Sequence, residues 1–345
     1  MTELIRPTEI EYYGRIGEAE LYIKRDDRIP FSFGGNKVRI AWEIFAEMET
    51  RGSRAVVTYG SASSNLNRVM TQMAAEKNIP CTCIIKKEGS DSGQPGRNER
   101  MVLDSGAEIV YTAPEKVHDT VAAVLEKLTA EGRNPYYVYG SADGKGGEAV
   151  LVRAYRKAYQ EICRQEQELG VRFDTIVLPV GTGATLAGLV SACGEDRRIL
   201  GISVANPAAK AAERVRGLLT ASGMTEEEAD ARICTGDPAE AEKTKIAEKT
   251  EKTEKTEKDC ICRITDAYLL GGYGKCSEEL KAFIVRNLQE RGLALDPVYS
   301  GKAFAGLQKE AEKKNVTGRC LFVHTGGLPL FYDLMETLQI PVDRP

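Results

Sequence analysis

The residues best suited to chemistry gather near the N-terminus. Lys24-Arg25-Asp26-Asp27 is followed, six residues later, by Gly34-Gly35-Asn36-Lys37-Val38-Arg39. Two glycines and an asparagine ahead of a lysine make a tight turn that aims the amine inward. Ile40, Ile44, Phe45 and Met48 then give the apolar stripe of an amphipathic helix. An amine desolvated in such a turn has a lowered pKa and condenses with carbonyl groups to a Schiff base. Taken alone, the segment reads more simply as an exposed turn lysine.

Three further loops each follow an apolar strand. Gly60-Ser61-Ala62-Ser63-Ser64-Asn65 places small hydroxyl residues where a helix starts. Backbone N–H groups there suit a carboxylate or phosphate, and an ordinary helix cap by a serine or Asn65 suits the pattern equally. Gly181-Thr182-Gly183-Ala184-Thr185 is neither a Walker A loop nor a complete dinucleotide fingerprint, since Leu186 stands where the last glycine belongs. Its backbone donors still cradle a single phosphate. His324-Thr325-Gly326-Gly327 permits close approach of a flat ligand, with the Thr325 hydroxyl free to bond a ring nitrogen and His324 as a packed residue.

The elements that position these loops alternate. Strands are expected at Ala55–Tyr59, Cys81–Ile85, Glu108–Tyr111, Tyr136–Tyr139, Thr175–Val180, Ile199–Val204 and Cys320–His324. Between them, Leu66, Val69, Met70, Met73 and Ala74 fall on one helical face, as do Val121, Val124, Leu125 and Leu128. A short helix fits Arg97 to Asp104 and a long one Glu148 to Leu169. This alternation implies an α/β chain with mostly parallel sheets flanked by helices. Glu242 to Lys258 breaks the pattern with a Glu-Lys-Thr repeat that has little apolar surface to bury. It reads as a solvated insertion within about 236–258.

Composition removes several function classes. The 345 residues are 42% hydrophobic and 28% charged, with a formal net charge of -4. Basic residues are scattered among carboxylates, so no nucleic-acid partner is expected. No run approaches the roughly 20 apolar residues that span a bilayer. The first residues lack the apolar stretch of a signal peptide, so the expectation is a cytosolic (cytoplasmic) protein with no membrane partner. Nine cysteines without a Cys-x-x-Cys pair read as reduced thiols, and two histidines make a multi-histidine metal site untenable.

The lysine turn, serine-asparagine loop, glycine loop and terminal Thr-Gly-Gly, in this order, resemble the fold-type II pyridoxal-phosphate enzymes. Gly272-Tyr273-Gly274 and Leu295-Asp296-Pro297-Val298-Tyr299-Ser300-Gly301-Lys302-Ala303 narrow the resemblance to the branch of D-cysteine desulfhydrase and 1-aminocyclopropane-1-carboxylate deaminase. The resemblance implies a tryptophan-synthase-β-like architecture, with a large cofactor domain (1–39 and 148–345) and a small closing domain (40–147). It implies pyridoxal 5'-phosphate on Lys37, its ring hydroxyl on Asn65, its phosphate on Gly181, Thr182, Gly183, Ala184 and Thr185, and its ring nitrogen on Thr325. Ser64, Asn65 and Leu66 would bind the carboxylate of a small amino-acid substrate, with Tyr273 and Tyr299 facing it. Lys37, Ser64, Tyr273 and Tyr299 would be the catalytic set, in a homodimer.

The activity so implied is a lyase that eliminates a β-substituent, D-cysteine giving pyruvate, hydrogen sulfide and ammonia. Ring-opening deaminases of the branch are expected to carry glutamate where this chain has Ser300. Gly60-Ser61-Ala62-Ser63 also departs from the branch's Gly-Gly-x-x form. Cysteate desulfonation, cyclopropane opening, racemisation and β-replacement stay open as alternatives.

Overall fold

The computed structural model describes residues 6–86, 95–236 and 260–338. The Glu-Lys-Thr run lies outside them. The chain opens with a hairpin that the sequence pattern did not announce, β1 (Ile10–Ile16) and β2 (Ala19–Lys24), antiparallel with a register shift between Tyr12 and Gly14. Four parallel strands follow: β3 (Ala55–Ser61), β4 (Cys81–Lys86), β5 (Glu108–Thr112) and β6 (Pro135–Tyr137). They form a sheet of their own in the order β5-β4-β3-β6. β6 ends at Tyr137, earlier than expected, because the chain turns at Gly140.

The remaining strands are β7 (Thr175–Val180), β8 (Arg198–Ser203), β9 (Ile233–Thr235), β10 (Cys262–Thr265) and β11 (Gly318–Val323). With the hairpin they make a seven-stranded sheet, β1-β2-β11-β7-β8-β10-β9. Only the β1–β2 pair is antiparallel. Parallel strands need both faces covered, which their nearly continuous apolar sequences satisfy.

The covering helices in the first half are α1 (Asn36–Arg51), α2 (Asn65–Glu76), α3 (Arg97–Leu103), α4 (Val117–Ala130) and α5 (Glu148–Leu169). The second half adds α6 (Ala184–Ala192), α7 (Ala208–Ala221), α8 (Glu226–Arg232), α9 (Glu278–Arg291), α10 (Ser300–Glu312) and α11 (Leu328–Thr337). One apolar core joins the sheets: Val56 and Val57 of β3 belong to the same cluster as Ile176 and Leu178 of β7, through α1 and α5. A second core on the other face of the large sheet packs Phe304 and Leu307 of α10 under Phe322.

One expectation is corrected. Cys234 and Cys260 are joined by a disulfide, with Cα atoms 6.0 Å apart. Their proximity follows from the edge pairing, in which Arg263 of β10 lies opposite Cys234 of β9. Sequence spacing does not reveal strand neighbours 26 residues apart. The other seven cysteines are free thiols.

Candidate active site

The Lys24-Arg25-Asp26-Asp27 segment supplies a buried ionic floor. Arg39 donates to Asp26 at 2.8 and 3.0 Å and to Glu161 at 2.8 Å, while Lys24 pairs with Glu161. Burial pushes Asp26 up, but Arg39 and Lys24 more than offset it and hold its carboxyl below the usual range. A satisfied network of this kind fixes backbone position. The Asp26 carbonyl then accepts the Gly35 N–H at 2.7 Å and so carries the lysine turn.

That turn is left-handed through Ser32, Phe33, Gly34 and Gly35, with φ of 48°, 59°, 68° and 101°. A Cβ on Gly34 would lie 2.1 Å from the Asp27 carbonyl oxygen, so no other residue fits there. The turn ends with Lys37 as the second residue of α1. Lys37 is half-buried, and no side chain among the described residues hydrogen-bonds its amine. Desolvation by the surrounding protein lowers its pKa to about 8. The sequence pattern that fitted an exposed turn lysine thus belongs to a desolvated amine.

Two of the other loops meet this turn directly. Asn36 donates its N–H to the Thr325 carbonyl at 3.0 Å and its side-chain amide to the Thr185 hydroxyl at 2.8 Å. Thr325 is buried beside it, and its own hydroxyl has no hydrogen-bond partner among the described residues. His324 is packed as expected: its Nδ1 accepts from Gly326 N–H at 3.2 Å, so Nε2 carries the proton and donates to the Ala294 carbonyl at 2.9 Å. Gly183 stands at the start of α6, where no side chain caps the helix. The first-turn N–H groups, including Ala184 and Thr185, are therefore left for an anion, with Thr182 on the exposed side.

Tyr299 reaches the same loop, its Cε1 lying 3.2 Å from where a Cβ on Gly181 would sit. Its hydroxyl is 2.9 Å from that of Tyr273. Burial, then the neighbouring Tyr273, raises the Tyr299 pKa well above the ordinary value, so this phenol keeps its proton. Asp296, for which the sequence suggested no role, accepts the N–H groups of Val298, Tyr299 and Ser300 at 2.7 to 2.9 Å. Ser300 is fully buried and donates its hydroxyl to Asp296 at 2.6 Å. Lys302, also buried, donates to the Leu269 and Gly272 carbonyls at 2.7 and 2.6 Å and so holds the loop that carries Tyr273.

Ser64, Asn65 and Leu66 stand beyond β3 of the other sheet, at the start of α2. Ser64 Oγ caps that helix by accepting the Asn67 N–H at 3.2 Å. Asn65 Oδ1 accepts from Asn98 at 3.0 Å, which leaves the Asn65 amide free to donate. Asn98 escapes sequence reasoning because it lies 33 residues away on α3. Among the described residues no hydrogen bond joins this loop to the lysine turn; Arg68 of α2 links them, stacked over Phe33 with 5.9 Å to the ring centroid. Among the described residues no cluster of three His, Cys, Asp or Glu could hold a metal ion, and no helix is long and apolar enough to cross a membrane.

The model of the family described as "Pyridoxal-phosphate dependent enzyme" matches residues 1–326. The chain belongs to the pyridoxal-phosphate dependent enzymes. A Pyrococcus abyssi protein with the provisional name 1-aminocyclopropane-1-carboxylate deaminase is 32% identical, over 97% of this chain and 94% of that one. A Yersinia pestis D-cysteine desulfhydrase is 28% identical, over 93% and 89%. The crystal structure of an ACC deaminase homologue superposes with a TM-score of 0.75 at 28% identity, covering 97% and 95%. The fold is accordingly that of the fold-type II branch. Its residues fit the cofactor: an unpartnered amine at Lys37, an uncapped glycine-led helix start at Gly183, and an unpartnered hydroxyl at Thr325.

Proposed function

We propose that this enzyme is a lyase that removes the β-substituent of a small amino acid, with D-cysteine the first substrate to test. The observation that carries the reading is an unprotonated-prone amine at Lys37 together with the protonated Tyr299 phenol, whose hydroxyl stands 2.9 Å from that of Tyr273. The first is suited to take a proton and the second to give one. Bound pyridoxal phosphate supplies an electron sink for carbanion chemistry.

In this reading Lys37 would hold the cofactor, and its amine would take the Cα proton of the substrate. Ser64, Asn65 and the Leu66 N–H bind the substrate carboxylate. Asn65 would also donate to the cofactor's ring oxygen, residues Gly181 to Thr185 would hold its phosphate, and Thr325 would meet its ring nitrogen. Tyr299, backed by Tyr273, donates its proton to the departing β-group. Residues 40–147 form the small domain that closes over the substrate, against a large domain of 1–39 and 148–345. A homodimer in the cytosol completes the reading.

The name of the Pyrococcus abyssi relative favours a second reading, cyclopropane opening. Ser300 argues against it here, because its hydroxyl is buried against Asp296 and offers no acid to a strained ring. A substrate panel decides between them. The purified yellow enzyme is incubated with D- and L-cysteine, cysteate and 1-aminocyclopropane-1-carboxylate, and pyruvate, sulfide, sulfite and 2-oxobutyrate are measured. Pyruvate with sulfide supports the proposal; 2-oxobutyrate alone overturns it in favour of ring opening.

A further inference from the structure

Arg68 is among the largest fully buried side chains, at 1% exposure. Its Nε and Nη1 have no hydrogen-bond partner, and no carboxylate among the described residues pairs with it. Burial alone lowers its pKa, to about 10, so it is charged at neutral pH. The other buried lysines and arginines among the described residues are answered: Lys24 by Glu161, Lys302 by two carbonyls, Arg39 by Asp26 and Glu161, Arg25 by Glu11 and Asp27, and Arg197 by Glu166. A buried charge without a counter-charge costs several kcal/mol, so this arginine is out of keeping with the chain's own practice.

Its placement suggests what answers it. Arg68 lies four residues after Ser64 and three after Asn65, which puts all three on one face of α2. A helical side chain leans back over the preceding turn, so the guanidinium underlies the Ser64–Asn65 start of the helix. Its other neighbour is the Phe33 ring, which directly precedes the Gly34-to-Lys37 turn. The cation therefore sits between the serine-asparagine loop and the lysine turn. Asn67 Nδ2, one residue away, is a second buried donor without an acceptor, so the first turns of α2 carry more donors than the protein satisfies.

We infer that Arg68 is the fixed positive charge of the substrate-carboxylate subsite, acting from beneath the Ser64–Leu66 loop to select an amino acid with a free α-carboxylate. This rests on the reading that the α2 loop receives that carboxylate. Arg68 acts through the loop's field and position, not as a proton donor, so it is a specificity residue.

The test compares glycine with glycinamide, which differ only in the carboxylate, lack a leaving group and avoid any choice of hand. Binding to the cofactor-loaded enzyme is followed by calorimetry. The unaltered enzyme is expected to bind glycine at least tenfold more tightly than glycinamide, the size of one charge-assisted contact. Arg68→Met should weaken glycine by roughly 30-fold while leaving glycinamide within about threefold. Arg68→Lys, which keeps the charge, should restore a substantial part of the difference. Equal binding of acid and amide by the unaltered enzyme overturns the inference without any variant. So does an Arg68→Met enzyme that keeps its visible band and its melting temperature and discriminates as before. A protein that never takes up cofactor would instead sink the reading on which the inference stands.

Discussion

The Asn36 N–H donates to the Thr325 carbonyl at 3.0 Å, and at this contact the backbones of Gly35 and Gly326 touch. The first residue of α1 and the second residue after β11 are thereby locked together, although 289 positions separate Asn36 from Thr325 (325 less 36). The bond makes the separation of the Lys37 amine from the Thr325 hydroxyl a property of the fold. A Cβ on Gly35 would lie 2.7 Å from that same carbonyl oxygen, at a φ of 101°.

Gly35→Ala is therefore expected to destabilise the protein by about 2–4 kcal/mol through backbone strain and loss of this contact. It should weaken cofactor binding more than the stability change alone explains. Urea unfolding and a cofactor titration check both parts. An alanine variant with unchanged midpoint and unchanged affinity would show that the close approach is unnecessary.

Lys37 gives a pH signature. Its pKa in the folded chain, about 8, lies below its ordinary value of 10.5. Between those values the unfolded chain binds more protons than the folded one, so this residue makes stability rise with pH across that window. The cofactor-free protein should consequently lose a penalty of about 1–3 kcal/mol on going from pH 7.5 to 10.5, and Lys37→Met should abolish that gain. Cofactor capture needs the neutral amine, so its rate should climb roughly tenfold per pH unit below about 8 and flatten above it. Stopped-flow absorbance reads the second effect. A flat rate from pH 6 to 9 would mean the amine is already neutral.

Much of this was legible in the sequence because the parallel strands are short apolar runs ending in loops rich in glycine and hydroxyl residues. Thr175–Val180 and Glu148–Leu169 stand where the pattern put them. The β1–β2 hairpin was missed because its strands mix charged and aromatic residues, and none of the seven β1 residues is fully buried. Asn98, Asp296 and Lys302 were invisible as supports because each acts by hydrogen bonds to groups 2 to 33 residues away, which leave no periodic trace. The Cys234–Cys260 bond was missed for the same reason: it depends on which strands are neighbours.

The two tyrosines should behave as one unit. Tyr299→Phe and Tyr273→Phe each break the 2.9 Å hydroxyl pair. Each is expected to lower kcat by about 10²-fold on D-cysteine, within the range for a lost general acid. The double variant should be little worse than either single one, since a cycle through contacting groups is not additive. Multiplicative losses in kcat would mean the hydroxyls act independently. Lys302→Met, which frees the Gly272 carbonyl, should resemble Tyr273→Phe in kcat while leaving the Tyr299 environment intact.

Ser300→Glu tests the idea that one residue decides between β-elimination and ring opening. The Ser300 side chain is fully enclosed and donates to Asp296, whose carboxyl burial already pushes above the usual range. A second carboxyl there would be desolvated against a like group, at a cost of roughly 3–5 kcal/mol. The expected outcome is a protein with a clearly lowered melting temperature, reduced β-elimination through a displaced Tyr299, and no 2-oxobutyrate from 1-aminocyclopropane-1-carboxylate. A stable variant that opens the ring would mean that the start of α10 rearranges to turn residue 300 toward the substrate. Substrate choice would then lie in that single position, and the Asp296–Ser300 contact would be dispensable for holding Tyr299.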